Sequence, residues 1–435
     1  MIDRCMIYSR LRKCKKYSGI FMEDEIMDTK KVAEKLFWIG KVDDRKVPFH
    51  RLTLERGTTY NSYLLATEKP TVIDTVDIAY GKEYVENLSK VIDPETIQYI
   101  VINHVEPDHA GALPTLAAKA KKAKIVTTAL AADLLKDMFK LQEREFVIVE
   151  DGDTLDIGGK TLQFFETPYL HTEETMITYA VEDKVLFPCD IFSTHIANYE
   201  LFNDLAKSEY IEDFKVYYQL IMGHHRPYVR KMLEKIKALD IKVIAPSHGY
   251  ILRENPERFI QLYNEMSTLS AQSKPKKVTI VYATMTGNTT KVAQKLAQGL
   301  EEVGVETSVF NLKNADLGEV KKQILDSDGI LVGSSTKYAD MVGSVEELLK
   351  SLVGEAVHHK PAAAFGSYGW SGEAILHVED YLEKAGFKVI NQKYLIGSTG
   401  MDTPLFPLRV KFVREDSLNI AEEAGKVFGE EVLSQ

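Results

Sequence analysis

The sequence predicts an α/β chain of two unlike parts, the second a doubly wound, five-stranded parallel sheet. The prediction rests on a change of pattern. From about Lys31 to Met266, short β-rich runs alternate with turns and a few helices. A polar stretch, STLSAQSKPKK, then breaks the pattern with the composition of a linker. Beyond it, apolar strands and helical segments alternate as in repeated βαβ units, which place helices on both faces of a parallel sheet.

Each element has its own signal. Residues 1–30 begin MIDRCMIYSRLRKCKKYSGIF, basic and without a continuous apolar core or a small-residue cleavage site. They read as a poorly ordered tail rather than a signal peptide, and Met22 and Met27 leave a later start open. The first domain is expected over residues 31–270 and the second over 275–435. TYNSYLLAT and TVIDTV read as a paired strand unit. TLQFFETP and MITYAVEDKVLFPCD read as further strands, with turns at Gly158–Gly159 and Glu182–Asp183. FKVYYQLIMG and PYVRKMLEKIKALD carry helical apolar spacing. In the second half KVTIVYA, VETSVFNL, DGILVGSS, PAAAFGS and KVINQKYLIGS are strands, each followed by a helix.

The totals narrow the function. A chain of 435 residues, 45% hydrophobic, can bury two or three separate cores. A net charge of −10 disfavours nucleic acid as a partner, and no apolar run is long enough for a bilayer. The three cysteines, Cys5, Cys14 and Cys189, are too few and too scattered for a disulfide framework. With no C-x-x-C pair they point to the cytoplasm and supply no cysteine-ligated iron centre.

One stretch concentrates chemistry. YIVINHVEPDHAGALP places His104, Glu106, Asp108 and His109 within six positions after an apolar run. Three further runs also end at metal-ligand residues: QFFETPYL at His171, KVLFPC at Asp190 and KVIAPS at His248. Loops from one edge of a sheet can converge, and ligands from separate segments make a preorganised site. Lone histidines in such loops are more often capping or surface residues, and His224–His225 and His358–His359 are read that way. Chance satisfaction of the whole cluster at His104–His109 is a poor explanation, so metal binding is expected.

The cluster resembles the metallo-β-lactamase superfamily, with its His-x-His-x-Asp-His signature and later His, Asp and His. Glu106 stands where those hydrolases carry the second His. Four imidazoles and three carboxylates make a harder, more anionic set than zinc hydrolases use, one that suits a pair of irons. Combined with a flavodoxin-like half, His-x-Glu-x-Asp-His resembles the flavodiiron proteins (A-type flavoproteins), as do GTTYNSYLL, NHVEPDHAGALP and IAPSHG. The resemblance implies an N-terminal metallo-β-lactamase-like αβ/βα sandwich followed by a flavodoxin-like domain. It implies one iron at His104, Glu106 and His171 and another at Asp108, His109 and His248, with Asp190 between them. In that family the residue at His109 tends to swing off the metal. Cys189 departs from the small residue usual before the bridging Asp. His50 in VPFHRL and Tyr218 in VYYQL resemble donors above the irons.

The second half carries a flavin signature. VYATMTGNTTKVAQKLA is a strand, a hydroxyl-rich turn and a helix. Thr284, Met285, Thr286, Gly287, Asn288 and Thr289 surround a helix N-terminus, where unpaired N–H groups and the helix dipole favour an anion. The turn lacks Gly-Lys-Ser/Thr and G-x-G-x-x-G, so a monophosphate fits better than a nucleoside triphosphate or a dinucleotide. The loops at Ser334, Ser335, Thr336, Lys337 and Tyr338, and at Gly366, Ser367, Tyr368, Gly369 and Trp370, lie at later strand ends beside the expected switch point. Tyr338, Tyr368 and Trp370 could stack on a ring. The pattern resembles flavodoxin and implies FMN.

The expected function is therefore reduction of dioxygen to water, of nitric oxide to nitrous oxide, or both, at a diiron site fed by FMN. A rubredoxin-like protein is the expected electron donor, and a head-to-tail homodimer or dimer of dimers the implied assembly. Two rivals are a zinc hydrolase carrying a flavodoxin domain and a non-catalytic electron-transfer or redox-sensing flavoprotein. Glu106 argues against the first and the complete ligand set against the second.

Overall fold

The computed structural model describes residues 31–46, 48–49, 52–268, 275–357, 359–369, 371–391 and 404–434. The tail, His50 and Trp370 lie outside the described residues. The chain divides into two units, Met1–Ser267 and Thr268–Gln435.

The first unit is built on two sheets. One has seven strands in the order Lys31–Ala33, Leu36–Trp38, Tyr63–Leu65, Thr71–Ile73, Tyr99–Val101, Lys124–Thr127, Phe146–Ile148. Period-two alternation splits its side chains between two cores. Leu64, Val72, Ile100 and Ile125 face one side, with Val85 and Leu88 of helix Gly81–Val91, Leu113 and Leu116 of helix Leu113–Lys119, and Leu135 of helix Ala129–Phe139. Tyr63, Leu65, Ile73, Val101 and Val126 face the other side, against Leu162, Phe164, Met176 and Phe187 of the second sheet. That sheet runs Thr154–Asp156, Thr161–Glu166, Met176–Ala180, Val185–Phe187, Val243–Ile244. Helix Arg226–Ile236 is tied to it by Lys235 Nζ, which donates to the Glu166 carbonyl at 2.7 Å. The result is the expected αβ/βα sandwich. Leu88 is fully buried, and truncating such a residue to Ala typically costs about 2–5 kcal/mol, enough to loosen its helix.

The second unit is a parallel sheet in the order Glu306–Asn311, Lys277–Ala283, Gly329–Ser334, Pro361–Tyr368, then an edge position shared by two segments. The sequence suggested one fifth strand, KVINQKYLIGS. Within it only Lys388–Val389 is strand among the described residues, paired with Pro361–Ala362. Leu408–Lys411 takes the rest of the edge, paired with Phe365–Tyr368. Its alternation suits an edge strand, with Leu408 and Val410 buried and Arg409 and Lys411 exposed. Helices Asn288–Glu302 and Glu415–Leu433 lie so close that a Cβ on Gly299 would run into the Glu422 carbonyl, and one on Gly425 into that of Leu296. These glycines set the spacing of the pair.

Candidate metal and flavin sites

All seven candidate ligands lie at or beyond strand ends of the first unit. Asn103 fixes the start of the main loop: its N–H and side-chain amide donate to Asp74 at 2.7 and 2.9 Å. His104 follows, and Glu106 caps the short helix Pro107–Ala110, which carries Asp108 and His109. The TTYNSYLL stretch holds the opposite loop. Asn61 donates to the Pro246 carbonyl at 2.8 Å, as does the Tyr63 hydroxyl at 2.8 Å. His248 Nδ1–H donates to the Thr59 carbonyl at 2.6 Å, which turns Nε2 toward the cluster.

The ligand atoms form three overlapping groups: His104, Glu106 and His171; His104, His109 and Asp190; Asp108, His109 and His248. Asp190 lies between the outer two. Its Oδ2 is 3.4 Å from Nε2 of both His109 and His171 and 3.8 Å from that of His104. Its Oδ1 is 3.5 Å from His248 Nε2. Asp108 Oδ2 is 3.3 Å from Nε2 of both His109 and His248. Glu106 Oε2 is 3.5 Å from His104 Nε2 and 3.7 Å from His171 Nε2. Bonds of about 2.1 Å to one ion would hold two ligand atoms about 3.4 Å apart in a tetrahedron, so this is the spacing of atoms around shared ions. Nε2 of His104 and His109 are buried with no hydrogen-bond partner among the described residues. Such orphaned atoms are costly unless a cation takes their lone pairs.

Electrostatics agree. Burial alone would push His104, His109 and His171 down and the carboxyls up, but their mutual charges reverse both. Glu174 and Glu106 hold His104 well above its ordinary value, and Asp108 and Asp190 do so for His109. His171 is raised by Glu106 and Asp190. Against burial, His109 keeps Asp108 and Asp190 well below the carboxylate range, and His171 with His104 lowers Glu106. The pocket is built for positive charge, whether protons or metal ions.

Residues that the sequence reading passed over support these ligands from behind. Glu174 Oε1 is 2.6 Å from His104 Nδ1, whose charge holds this buried carboxyl down at about 2. The Tyr217 hydroxyl donates to Asp190 Oδ1 at 2.8 Å. Tyr218, which the sequence suggests, is buried and packs edge-on against Tyr263 at 4.8 Å between ring centres. His195 Nδ1 lies 3.0 Å from the Thr58 hydroxyl, and its ring lies 5.0 Å from that of His248. Glu174 sits three residues beyond His171 in a polar loop, and only that proximity could have flagged it.

In the second unit the three loops share a buried base. The Thr289 hydroxyl is 2.9 Å from both the Ser335 and the Ser367 hydroxyls, which links all three strand ends. Gly287, with φ +84°, turns the chain into helix Asn288–Glu302, a left-handed conformation glycine adopts freely. The Thr284 hydroxyl accepts from Gly287 N–H at 3.1 Å and tightens the turn. Thr286 is exposed on it, as is Met285. Ser334 Oγ accepts from Val342 N–H at 3.0 Å, and Thr336 Oγ1 from Ala374 N–H at 3.4 Å. Lys337 pairs with Asp340 across the loop tip, where Tyr338 is 91% exposed. Gly366 and Tyr368 belong to strand Pro361–Tyr368, and exposed Gly369 follows. A helix N-terminus without a side-chain cap, ringed by neutral hydroxyls, fits a phosphate monoester.

The sequence matches the family described as ODP family beta lactamase over residues 58–249 and Flavodoxin over residues 280–418. It is 39% identical over 369 residues to the anaerobic nitric oxide reductase flavorubredoxin of Salmonella arizonae, covering 82% of this chain and 76% of that one. The crystal structure of the flavodiiron protein from Giardia intestinalis aligns at a TM-score of 0.55 and 30% identity, covering 93% of this chain and 97% of that one.

This chain belongs to the flavodiiron protein family. Rubredoxin oxygen:oxidoreductase of Desulfovibrio gigas aligns at a TM-score of 0.54 and 30% identity over 92% of this chain and 98% of that one. The Salmonella and Desulfovibrio relatives are named as a reductase and an oxidoreductase, and this flavodiiron protein is an oxidoreductase. Among the described residues no helix is long and apolar enough to cross a membrane.

Proposed function

We propose that this flavodiiron protein reduces dioxygen to water, nitric oxide to nitrous oxide, or both, with electrons from a rubredoxin-like donor passing through FMN to two irons. The observation that carries this reading is Asp190, whose Oδ2 lies 3.4 Å from His171 Nε2 and whose Oδ1 lies 3.5 Å from His248 Nε2, so that it faces both ligand groups of a carboxylate-rich pocket. His104, Glu106 and His171 would hold one iron, and Asp108, His109 and His248 the other. When bound, the irons supply Lewis acidity and, with FMN, the reducing electrons. The protein's part is to position. Glu174 and the Thr59 carbonyl orient two imidazoles so that Nε2 faces the centre. The Tyr217 O–H directs one lone pair of Asp190 and stands as a proton donor beside the pocket. Thr284, Thr286, Asn288 and Thr289 would take the FMN phosphate, and the loops at Ser335–Tyr338 and Gly366–Gly369 would frame its ring.

The test is anaerobic single-turnover kinetics of iron- and FMN-loaded protein, reduced and then mixed with dissolved dioxygen or nitric oxide. Iron-dependent consumption of one or both gases is expected, and the ratio of rates gives the preference. Stoichiometric zinc with hydrolase activity, and no iron-dependent gas consumption, would sink the reading.

A head-to-tail homodimer or dimer of dimers, with the flavin of one copy facing the irons of another, completes the proposal. The composition of residues 267–277, polar with one Pro and few bulky apolar groups, supports it, since such a linker need not clamp the domains of one chain together. Co-expressing Asp190→Ala and Thr286→Asp chains, each inactive alone, should restore part of the activity. No recovery in verified heterodimers would place transfer within one chain.

A further inference from the structure

The histidine ligands differ in what stands behind them. His104 Nδ1 faces the Glu174 carboxylate at 2.6 Å and the Thr172 hydroxyl at 3.2 Å. His248 Nδ1 faces the Thr59 carbonyl at 2.6 Å. His109 Nδ1 faces the Sγ of Cys189 at 3.5 Å. A thiol sulfur is a weak acceptor. An imidazole that donates its far N–H to a stronger acceptor is a more basic and better-aimed ligand.

Cys189 is itself held firmly. It is 3% exposed, and its backbone sits at φ +53°. Its sulfur also accepts from the Ser247 hydroxyl at 3.4 Å, and its carbonyl accepts from Ser247 N–H at 2.9 Å and from the Ser193 hydroxyl at 3.1 Å. Asp190 follows it in the chain, and Ser247 precedes His248. One sulfur therefore links three ligand-bearing segments: the helix of His109, the turn of Asp190 and the loop of His248.

We infer that Cys189 is the positioning residue for His109, and that its weak acceptor makes the ion held by Asp108, His109 and His248 the more exchangeable of the two. This rests on the metal reading above. Nδ1 of His109 carries the proton and donates it to Sγ, and Nε2 is left as the ligand. The contact keeps the ring aimed at the centre, while the long, soft bond leaves the ring freer than those of His104 and His248.

The test uses full-length, FMN-loaded protein and ferrous iron as the probe. In unaltered protein a chelator should remove iron in two phases, and titration of stripped protein should show two affinities. Cys189→Ala should weaken the second ion by no more than about 10-fold, the low end for an outer partner, and leave the first nearly unchanged. Cys189→Ser keeps an acceptor on the same Cβ and should recover much of that loss. His109→Ala should lose the second ion whether or not Cys189 is also replaced, because the effect runs through one ring. Single-phase release from unaltered protein overturns the asymmetry, and this arm stands even if a variant fails to fold. Equal loss of both ions in Cys189→Ala, or additive losses in the double variant, reduces Cys189 to packing and overturns the positioning role. Absence of any iron in unaltered protein would instead sink the metal reading itself.

Discussion

In the metal pocket His104, His109 and His248 are at most 1% exposed, and Asp190 is 3% exposed. In the flavin loops Met285 is 54% exposed and Tyr338 91%. Both sites stand at strand ends and both suit a charged ligand, yet they are built by opposite means. The pocket buries its polar groups together and braces them with partners behind, such as Glu174, Tyr217 and the Thr59 carbonyl. The loops are joined to one another at their base, through Thr289, Ser335 and Ser367, while Met285 and Tyr338 nearer their tips stay exposed. The pocket is therefore sensitive to single charges, whereas the loops share their task among several weak donors.

The largest effect should come from changing the charge of the pocket. Glu106→His recreates the hydrolase ligand set and removes one anionic oxygen that stabilises iron in its higher oxidation state. Gas reduction should fall at least about 100-fold, and zinc should displace iron in metal analysis of protein grown with both. Normal iron content and full turnover in the variant would mean that the pocket tolerates charge changes as readily as the loops.

The pocket was more legible in the sequence than its support. His104, Glu106, Asp108 and His109 fall within six residues, and the other ligands each end an apolar run, because strand ends must deliver them. Glu174 and Tyr217 act through pairings across 70 and 27 residues that no local pattern encodes. The neighbours Tyr217 and Tyr218 show the limit well. Both are buried aromatic residues on one helical segment, and nothing in the local pattern singles out Tyr217 as the one whose hydroxyl donates to Asp190. The parallel sheet of the second unit, with helices alternating between its strands, followed from the alternation of strand and helix signals. Its divided edge did not, since KVINQKYLIGS has strand composition along its length and Leu408–Lys411 lies beyond it.

Next in size is the support itself. Glu174→Gln keeps the shape but removes the charge behind His104. Iron affinity should drop about 10- to 100-fold, as measured by competition with a chromophoric chelator. An unchanged affinity would show that the pocket needs no anion behind its ligands.

Acid and base should act on the pocket in opposite windows. Protons compete with metal for the same lone pairs. His104, His109 and His171 are raised in the metal-free pocket, so iron affinity should keep climbing with pH above about 6.5, the ordinary histidine value. In metal-free protein the raised imidazoles contribute stability that is complete below their unfolded value and lost as pH rises through the folded one. The lowered carboxyls of Asp108, Asp190 and Glu174 contribute stability that is present above about 4 and lost as pH falls through their folded values. Melting of chelator-treated protein should therefore peak between these limits. A melting temperature that rises steadily from about pH 5 to about pH 9 would contradict the charge pairing.

The smallest effect belongs to the loops. Thr289→Val keeps the size and branching of a residue that is fully buried but removes the hydroxyl that joins Ser335 and Ser367. The remaining serines lie on separate strand ends, and losing the shared partner costs about 1 kcal/mol for a neutral hydrogen bond. The sheet should hold, because the strands around it pair along their length. FMN affinity should fall only about fivefold, measured by flavin fluorescence on dilution, while iron content stays that of the unaltered protein. The contrast with Thr286→Asp is informative, since a carboxylate placed on the exposed turn should repel the phosphate and weaken FMN far more. If Thr289→Val instead releases flavin completely, the loops depend on their base as rigidly as the pocket depends on Glu174. The two sites would then differ in exposure but not in the way they are held.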